Sequence, residues 1–312
     1  MHLLIPFAAP LSEAGQHALR EANLPTLESL LARLTPTGRD EGDAGDEYQL
    51  SPPHERVLAR ALGWEGGDGA LPWAARAAAA DGLDPGQLPW GLLSPVHWQV
   101  GAEHLTMGDP EALALDAAES RAFLDAVRPQ FESLGWRCAW GAPTRWYVAH
   151  ESLAGLPTAS LDRVVGRNPD LWMPDDPRAR LVKRLQAELQ MLLYTHALND
   201  EREARGQQPL NSVWLSGCGA QQADRGAAPR VLDALRAPAL REDWAAWSEA
   251  WRALDRGVLR EALTAVQGGR PLTLTLCGER HAQTWEARPR GIVATLRSQW
   301  QRAHPAALLA TL

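Results

Sequence analysis

The sequence predicts an α/β fold, and three observations support this. Leu210–Leu215 is predicted to be a strand that leads directly into Ser216–Gly219, and a short strand that ends in a glycine loop is typical of open α/β sheets. Leu272–Leu276 alternates leucine with threonine, which indicates a second strand. Between Pro177 and His196 apolar residues recur at steps of three and four, which indicates a helix with one buried face.

The composition excludes several classes of function. A formal net charge of −7 argues against a nucleic-acid partner, because phosphate binding needs a basic surface. No apolar run is long enough to span a membrane, and the start MHLLIPFAAP is too short and uncharged for a signal peptide. Three scattered cysteines are typical of a reducing compartment. We therefore predict a cytoplasmic protein that has neither a membrane segment nor a nucleic-acid partner.

The N-terminal part predicts a strand followed by helices. His2–Phe7 is a short apolar run next to proline, as expected of a buried strand. Leu24–Leu31 opens an amphipathic helix, and His54 stands at the beginning of another. Arg39–Glu47 clusters carboxylates but lacks the spacing of an EF-hand, so a solvated loop is favoured over a calcium site.

The middle of the chain predicts a compact α+β insert of the ferredoxin-like kind, in which hairpins alternate with helices. Its predicted elements are a hairpin formed by Pro95–Val100 and His104–Met107, a helix that begins at Asp116, a hairpin formed by Arg137–Trp140 and Arg145–Ala149, and the helix that begins at Pro177.

The C-terminal part is rich in tryptophan, of which the whole chain has 14. One helical stripe is predicted, and it consists of Trp244, Trp247, Trp251, Leu254 and Val258. Such a stripe is either buried in a core or exposed as a partner-binding face. A last helix is predicted over Ile292–Trp300.

Residues 195–219, THALNDEREARGQQPLNSVWLSGCG, resemble the segment by which archaeal-type, cofactor-independent phosphoglycerate mutases leave their inserted domain and re-enter the phosphatase sheet. Those enzymes belong to the alkaline-phosphatase superfamily. The whole chain resembles RpfE-type bacterial regulatory proteins, which are often labelled phosphoglycerate mutase. The resemblance implies an alkaline-phosphatase-like, mostly parallel sheet with helices on both faces. Residues 1–90 and 200–312 would form this phosphatase-like domain from the strands at His2, Asn211 and Leu272, and residues 91–199 would form the inserted domain.

The same resemblance places substitutions at the catalytic positions. HERVLARALGW matches a segment that begins with the phosphorylated serine, so His54 takes the place of that serine and Glu55 that of the following aspartate. Phe7 stands near the position of a metal-binding aspartate, and the late aspartate and histidine ligands have no counterpart at matching spacing. We therefore predict no metal and no cofactor. His54 and Glu55 are the candidate catalytic residues, and the alternative is a structural role at a helix start.

An anion site is the candidate for ligand binding. Asn199, Arg202 and Asn211 match the motif, and Arg202 is the cation among them. The N–H groups of Ser216, Gly217, Cys218 and Gly219 would complete the site, because glycine loops after strands leave backbone donors unpaired. In the structural alternative Asn199 caps a helix, Arg202 pairs with a carboxylate and Asn211 fastens the strand to a loop.

The leading functional hypothesis is a catalytically inactive protein with a phosphatase or mutase fold, a pseudoenzyme with a regulatory or ligand-sensing role. Its partner would be a small anionic ligand or a protein. One alternative is residual phosphoglycerate mutase or phosphatase activity that uses non-standard residues. A second is a tryptophan-rich interaction module.

Overall fold

The computed structural model describes residues 1–43, 46–101, 105–173, 176–287 and 305–312. The chain forms two compact units. Unit 1 comprises Met1–Glu47, Pro52–Gly63 and Gly226–Leu312, and unit 2 comprises Tyr48–Ser51 and Trp64–Arg225. The helix predicted over Ile292–Trp300 lies outside the described residues.

The described residues of unit 1 contain a mixed five-stranded sheet. In sheet order its strands are β2 (Thr35–Asp40), β11 (Ala282–Glu286), β10 (Thr273–Cys277), β1 (His2–Ile5) and β9 (Arg230–Val231). β1 is parallel to β9 and β10, whereas β11 is antiparallel to β10 and β2. The prediction of a mostly parallel sheet is therefore wrong in detail. β10 and β11 are joined by a tight turn, and a connection that short permits only antiparallel pairing.

Helices cover both faces of this sheet, as predicted. One face carries α1 (Glu13–Glu21), α2 (Pro25–Leu31), α9 (Arg236–Leu240), α10 (Trp244–Arg256), α11 (Val258–Gln267) and α12 (Pro305–Leu309). The opposite face carries α3 (Pro53–Leu62), whose Val57 packs with Leu4 and Cys277. Successive side chains of a strand point to opposite faces of the sheet. Leu3 and Ile5 therefore pack on the face that carries α1 and α2, and Leu4 packs on the face that carries α3.

The tryptophan stripe lies in the core of unit 1. Trp247 and Trp251 on α10 are fully buried, and Trp244 at the start of that helix is half-buried. Val258 begins α11 after a break at Gly257, so it does not continue the same helix. Burial in the core therefore accounts for Trp247 and Trp251.

A four-stranded antiparallel sheet is the centre of unit 2 within its described residues. In sheet order the strands are β6 (Arg137–Ala142), β7 (Arg145–Ala149), β3 (Trp90–Val96) and β8 (Ser212–Gly219). One face is covered by α5 (Ala117–Glu132), α7 (Ala179–Tyr194) and α8 (Ala197–Ala204), and the other by α4 (Trp73–Ala80). A small hairpin consists of β4 (Trp98–Val100) and β5 (Leu105–Met107), and α6 is the short helix Leu161–Val164.

The chain order β3-α5-β6-β7-α7-β8 is the βαββαβ arrangement of a ferredoxin-like fold, whereas the predicted order was hairpin, helix, hairpin, helix. The first predicted hairpin differs because Pro95 and Val96 belong to β3, and only Trp98–Val100 pairs with β5. The fourth strand of this fold, however, is β8, which was predicted to belong to the phosphatase sheet. β8 pairs along its length with β3, and its backbone hydrogen bonds therefore fix it in unit 2.

The inserted unit is also longer than the predicted range 91–199. Residues 64–90 belong to unit 2 because α4 packs on β3 and β8, and residues 200–225 belong to it because they include β8. Among the described residues no helix is both long and apolar enough to cross a membrane.

Candidate functional site

The first candidate region lies in unit 1, at the carboxyl end of β1. Phe7 follows this strand with φ of 55°, a left-handed conformation that bulky residues rarely adopt. Two hydrogen bonds hold the backbone there. The Trp247 indole Nε1–H donates to the Phe7 carbonyl at 3.0 Å, and the Ala8 N–H donates to the Cys277 carbonyl at 2.7 Å.

His54 lies against Phe7. It is the second residue of α3, and the centroids of the two rings are 5.4 Å apart with the planes tilted by 40°. Glu55 follows in the first turn of the helix, where a negative charge interacts favourably with the helix dipole. An aromatic pair thus lies where the resemblance places a metal-binding aspartate and a phosphorylated serine.

Asp40 forms ion pairs with two arginines of α3, Arg56 and Arg60. The Asp40 carboxylate at the end of β2 accepts hydrogen bonds from Arg56 Nε at 2.8 Å and Arg56 Nη2 at 2.6 Å through Oδ1, and from Arg60 through Oδ2. The Asp40 side chain is only 4% exposed. Both oxygens of this carboxylate are thus occupied by guanidinium donors.

Two further groups near the end of β10 have shifted pKa values. Burial, with a smaller contribution from Asp40, raises the pKa of the Cys277 thiol, so this side chain is no thiolate nucleophile at neutral pH. Burial and then the Arg39 charge lower the pKa of His281, which keeps its ring neutral.

The residues present do not fit the metal centre that the resemblance implies. A phenyl ring at position 7 offers no ligand atom. Within the described ranges no group of three or more His, Cys, Asp or Glu side chains is arranged to hold a metal ion. The region contains an aromatic pair and a carboxylate whose oxygens already bind arginine. A two-metal phosphoryl-transfer site instead needs oxygen and nitrogen atoms that are available to bind the metals.

The second candidate region lies in unit 2 and includes Arg202. The Arg202 side chain is fully buried, and its guanidinium donates to the Gln208 carbonyl at 2.7 Å, the Leu113 carbonyl at 2.6 Å and Glu119 Oε2 at 2.6 Å. The other Glu119 oxygen accepts from Arg205 at 2.5 Å. Arg202 is therefore enclosed by protein acceptors and is paired with a carboxylate, as the structural alternative proposed.

Asn199 and Asn211 hold chain segments together. Asn199 Nδ2 donates to the Leu193 carbonyl at the end of α7 and to the Leu210 carbonyl, each at 2.8 Å, and Asn199 Oδ1 accepts from the Leu210 N–H. Asn211 bonds the Trp98 backbone in both directions, at 2.7 and 2.9 Å. Both amides thus satisfy the backbone at the entry to β8.

Residues Ser216 to Gly219 are part of β8 rather than a loop after it, which corrects the predicted anion site. This part of the strand is buried and pairs with β3. The glycines serve close packing: a Cβ at Gly217, where φ is 62°, would lie 3.0 Å from the Ala74 nitrogen at the start of α4. Burial raises the pKa of Cys218 to about 12.

The comparisons with known proteins give distant likenesses. No protein-family model matches the chain, and no curated protein sequence does. Among solved structures, the cofactor-independent phosphoglycerate mutase from Thermoplasma acidophilum DSM 1728 is 14% identical with a TM-score of 0.39, covering 100% of this chain and 98% of that one. The PH0037 protein from Pyrococcus horikoshii is 13% identical with a TM-score of 0.46, covering 92% of this chain and 87% of that one. The fold assignment rests on the strand order and pairing described above.

Sequence reasoning missed two polar clusters. The first is the Asp40 ion-pair network, for which the i,i+4 spacing of Arg56 and Arg60 on one helix face was an available signal. The second lies in unit 2, where Asp81 accepts hydrogen bonds from Tyr147 Oη at 2.6 Å and from Arg145 at 2.7 and 3.0 Å. The Arg145 hydrogen bonds are the main cause of the lowered pKa of Asp81. The partners are too far apart in sequence to be paired by pattern.

Proposed function

We propose that this chain is a catalytically inactive protein of the phosphatase or mutase type, with a regulatory or ligand-sensing role in the cytoplasm. The observation that carries the proposal is the contact between the Phe7 and His54 rings at the carboxyl end of β1. Metal-assisted phosphoryl transfer requires cations that neutralise the phosphate oxygens and an activated nucleophile. A phenyl ring supplies neither, and it occupies the space beside the residue that replaces the serine.

The surrounding side chains support the same conclusion. Asp40 is held by two arginines, and the Cys277 thiol is buried and protonated at neutral pH. The regulatory part of the proposal is supported by the resemblance of the chain to RpfE-type bacterial regulatory proteins. A partner-binding face made of the buried tryptophans is disfavoured, because Trp247 and Trp251 have no exposed surface.

The test is a pair of activity assays on the full chain. Interconversion of 3-phosphoglycerate and 2-phosphoglycerate, and hydrolysis of p-nitrophenyl phosphate, are measured with and without added Mn²⁺. We expect both rates to equal the protein-free background. The informative variant is His54→Ala, because an imidazole can accept a phosphoryl group without a metal.

A rate above background that disappears in His54→Ala would overturn the proposal and establish the alternative, residual mutase or phosphatase activity with non-standard residues. Arg60→Ala is the matched control on the same helix. Its side chain is 64% exposed and pairs with Asp40, so a rate that both variants lose equally would indicate damage to α3 and not loss of a nucleophile.

A further inference from the structure

A groove on unit 1 lies between α1 and α10 and has a volume of about 900 Å³. This volume is at the upper end of the range typical of ligand sites, which is roughly 300–1,000 Å³. Small side chains, Ala14, Ala18 and Ala245, line its length and leave it open. The groove is separate from the region around Phe7 and His54.

An aromatic platform forms part of the groove. Trp244 is half-buried, and its ring packs edge-to-face on Trp247 with the centroids 6.1 Å apart. Trp247 packs in the same way on Trp251 at 6.2 Å, deep in the core. The Trp244 ring is thus held in place by the buried Trp247 and also lines the groove. An indole ring in this position can stack with another aromatic ring.

Two side chains of opposite charge in the groove, Glu13 and Arg20, have no ion-pair partner among the described residues. By contrast, the neighbouring Arg252 pairs with Glu249 at 3.0 Å and His17 approaches Glu21 at 3.8 Å. Glu13 and Arg20 are seven residues apart on α1, which places them on the same side of the helix and about 10 Å apart along its axis.

We propose that this groove binds a short zwitterionic peptide with an aromatic side chain. The ammonium group of the peptide would pair with Glu13, its carboxylate with Arg20 and its ring with Trp244. A single amino acid is too short to reach both charges, whereas an extended tripeptide is about 10 Å long. Charge complementarity therefore favours a tripeptide over a simple anion, which Glu13 would repel.

Trp247 links the groove to the region around Phe7 and His54. Trp247, which supports the Trp244 ring, donates its indole N–H to the Phe7 carbonyl, and the Phe7 ring contacts His54. The proposal on peptide binding does not depend on whether the chain is catalytic. An active enzyme could also bind the peptide, so the two proposals fail separately.

The experiment is isothermal titration of the full chain with Ala-Phe-Ala and with the same peptide acetylated at its N-terminus and amidated at its C-terminus. We expect millimolar-range binding of the free peptide, because exposed ion pairs contribute little each. Glu13→Gln and Arg20→Gln should each weaken binding about twofold to fivefold, and the capped peptide should lose both contributions.

The matched control is Arg241→Gln, which removes an exposed arginine that does not line the groove and should leave the affinity unchanged. Equal binding of the free and the capped peptide would overturn the proposal, as would no heat of binding at about 10 mM peptide, well above the millimolar range expected from such weak pairs. Equal losses in Arg20→Gln and Arg241→Gln would also contradict it, because the effect would then be one of net charge.

Discussion

Replacing Arg202 with alanine is expected to destabilise unit 2 severely, and this distinguishes a structural arginine from a ligand-binding one. The guanidinium makes three hydrogen bonds in a fully buried position, one of them to the Glu119 carboxylate. Its loss leaves two carbonyls without this donor and Glu119, whose side chain is only 14% exposed, without its buried partner. Removing one partner of a buried pair typically costs about 3–5 kcal/mol, and we expect a loss of that size here.

Arg205→Ala is the matched control, because Arg205 binds the other oxygen of the same carboxylate while its side chain is 52% exposed. An exposed pair contributes about 0–1 kcal/mol, so the two variants should differ by at least about 2 kcal/mol in the free energy of unfolding. Urea titration followed by tryptophan fluorescence measures this difference, with the melting temperature recorded in the presence and absence of phosphate. The reasoning is refuted if Arg202→Ala costs less than about 1 kcal/mol and abolishes a phosphate-dependent rise in melting temperature, because the residue would then be a ligand contact.

Three further predictions concern buried polar groups. Ser120→Ala should lower the free energy of unfolding by about 2–4 kcal/mol, because the buried hydroxyl accepts from two indole N–H groups and donates to a carbonyl. Urea titration should show almost no change for the control Ser133→Ala, because Ser133 is exposed at the end of the same helix, α5. Asp255→Ala should cost about 1–3 kcal/mol in the same measurement, since its carboxylate accepts from the Thr26 and Leu27 N–H groups at the start of α2, and a cost below about 0.5 kcal/mol would contradict this capping role. The pKa of Asp81 is lowered from its ordinary value of 3.8. Its contribution to stability is therefore present above about pH 4 and is lost as pH falls through the lower folded-state pKa. Asp81→Asn should make the free energy of unfolding depend less on pH in this acid range, and an unchanged dependence would exclude Asp81 as a source of it.

Local signals in the sequence predicted most elements but not their partners. The helix start at Asp116 is predicted from a few neighbouring residues, and this residue caps α5 as expected. β8 is apolar on both faces because it is buried throughout, so its composition matches that of a strand inside a parallel sheet. Only its pairing with β3, a strand more than a hundred residues earlier, decides which sheet it joins.

The candidate site was less predictable because burial and contact partners decide the role of each residue. Arg202 was the one cation among the three candidate residues Asn199, Arg202 and Asn211, and nothing near it in sequence shows that Glu119 approaches it. Gly217 was interpreted as a backbone donor for anions, whereas the structure uses it for the close approach of α4. The same residue types satisfy both roles, and the distinction depends on contacts distant in sequence.

The left-handed backbone at Phe7 restricts which side chains this position accepts at low cost. Among residues other than glycine, aspartate and asparagine adopt such φ values several times more readily than the rest. An aspartate at position 7 would therefore fit this conformation and would place a carboxylate at the carboxyl end of β1 without a new backbone geometry. The side chain at this position can thus change while the backbone that holds it stays the same.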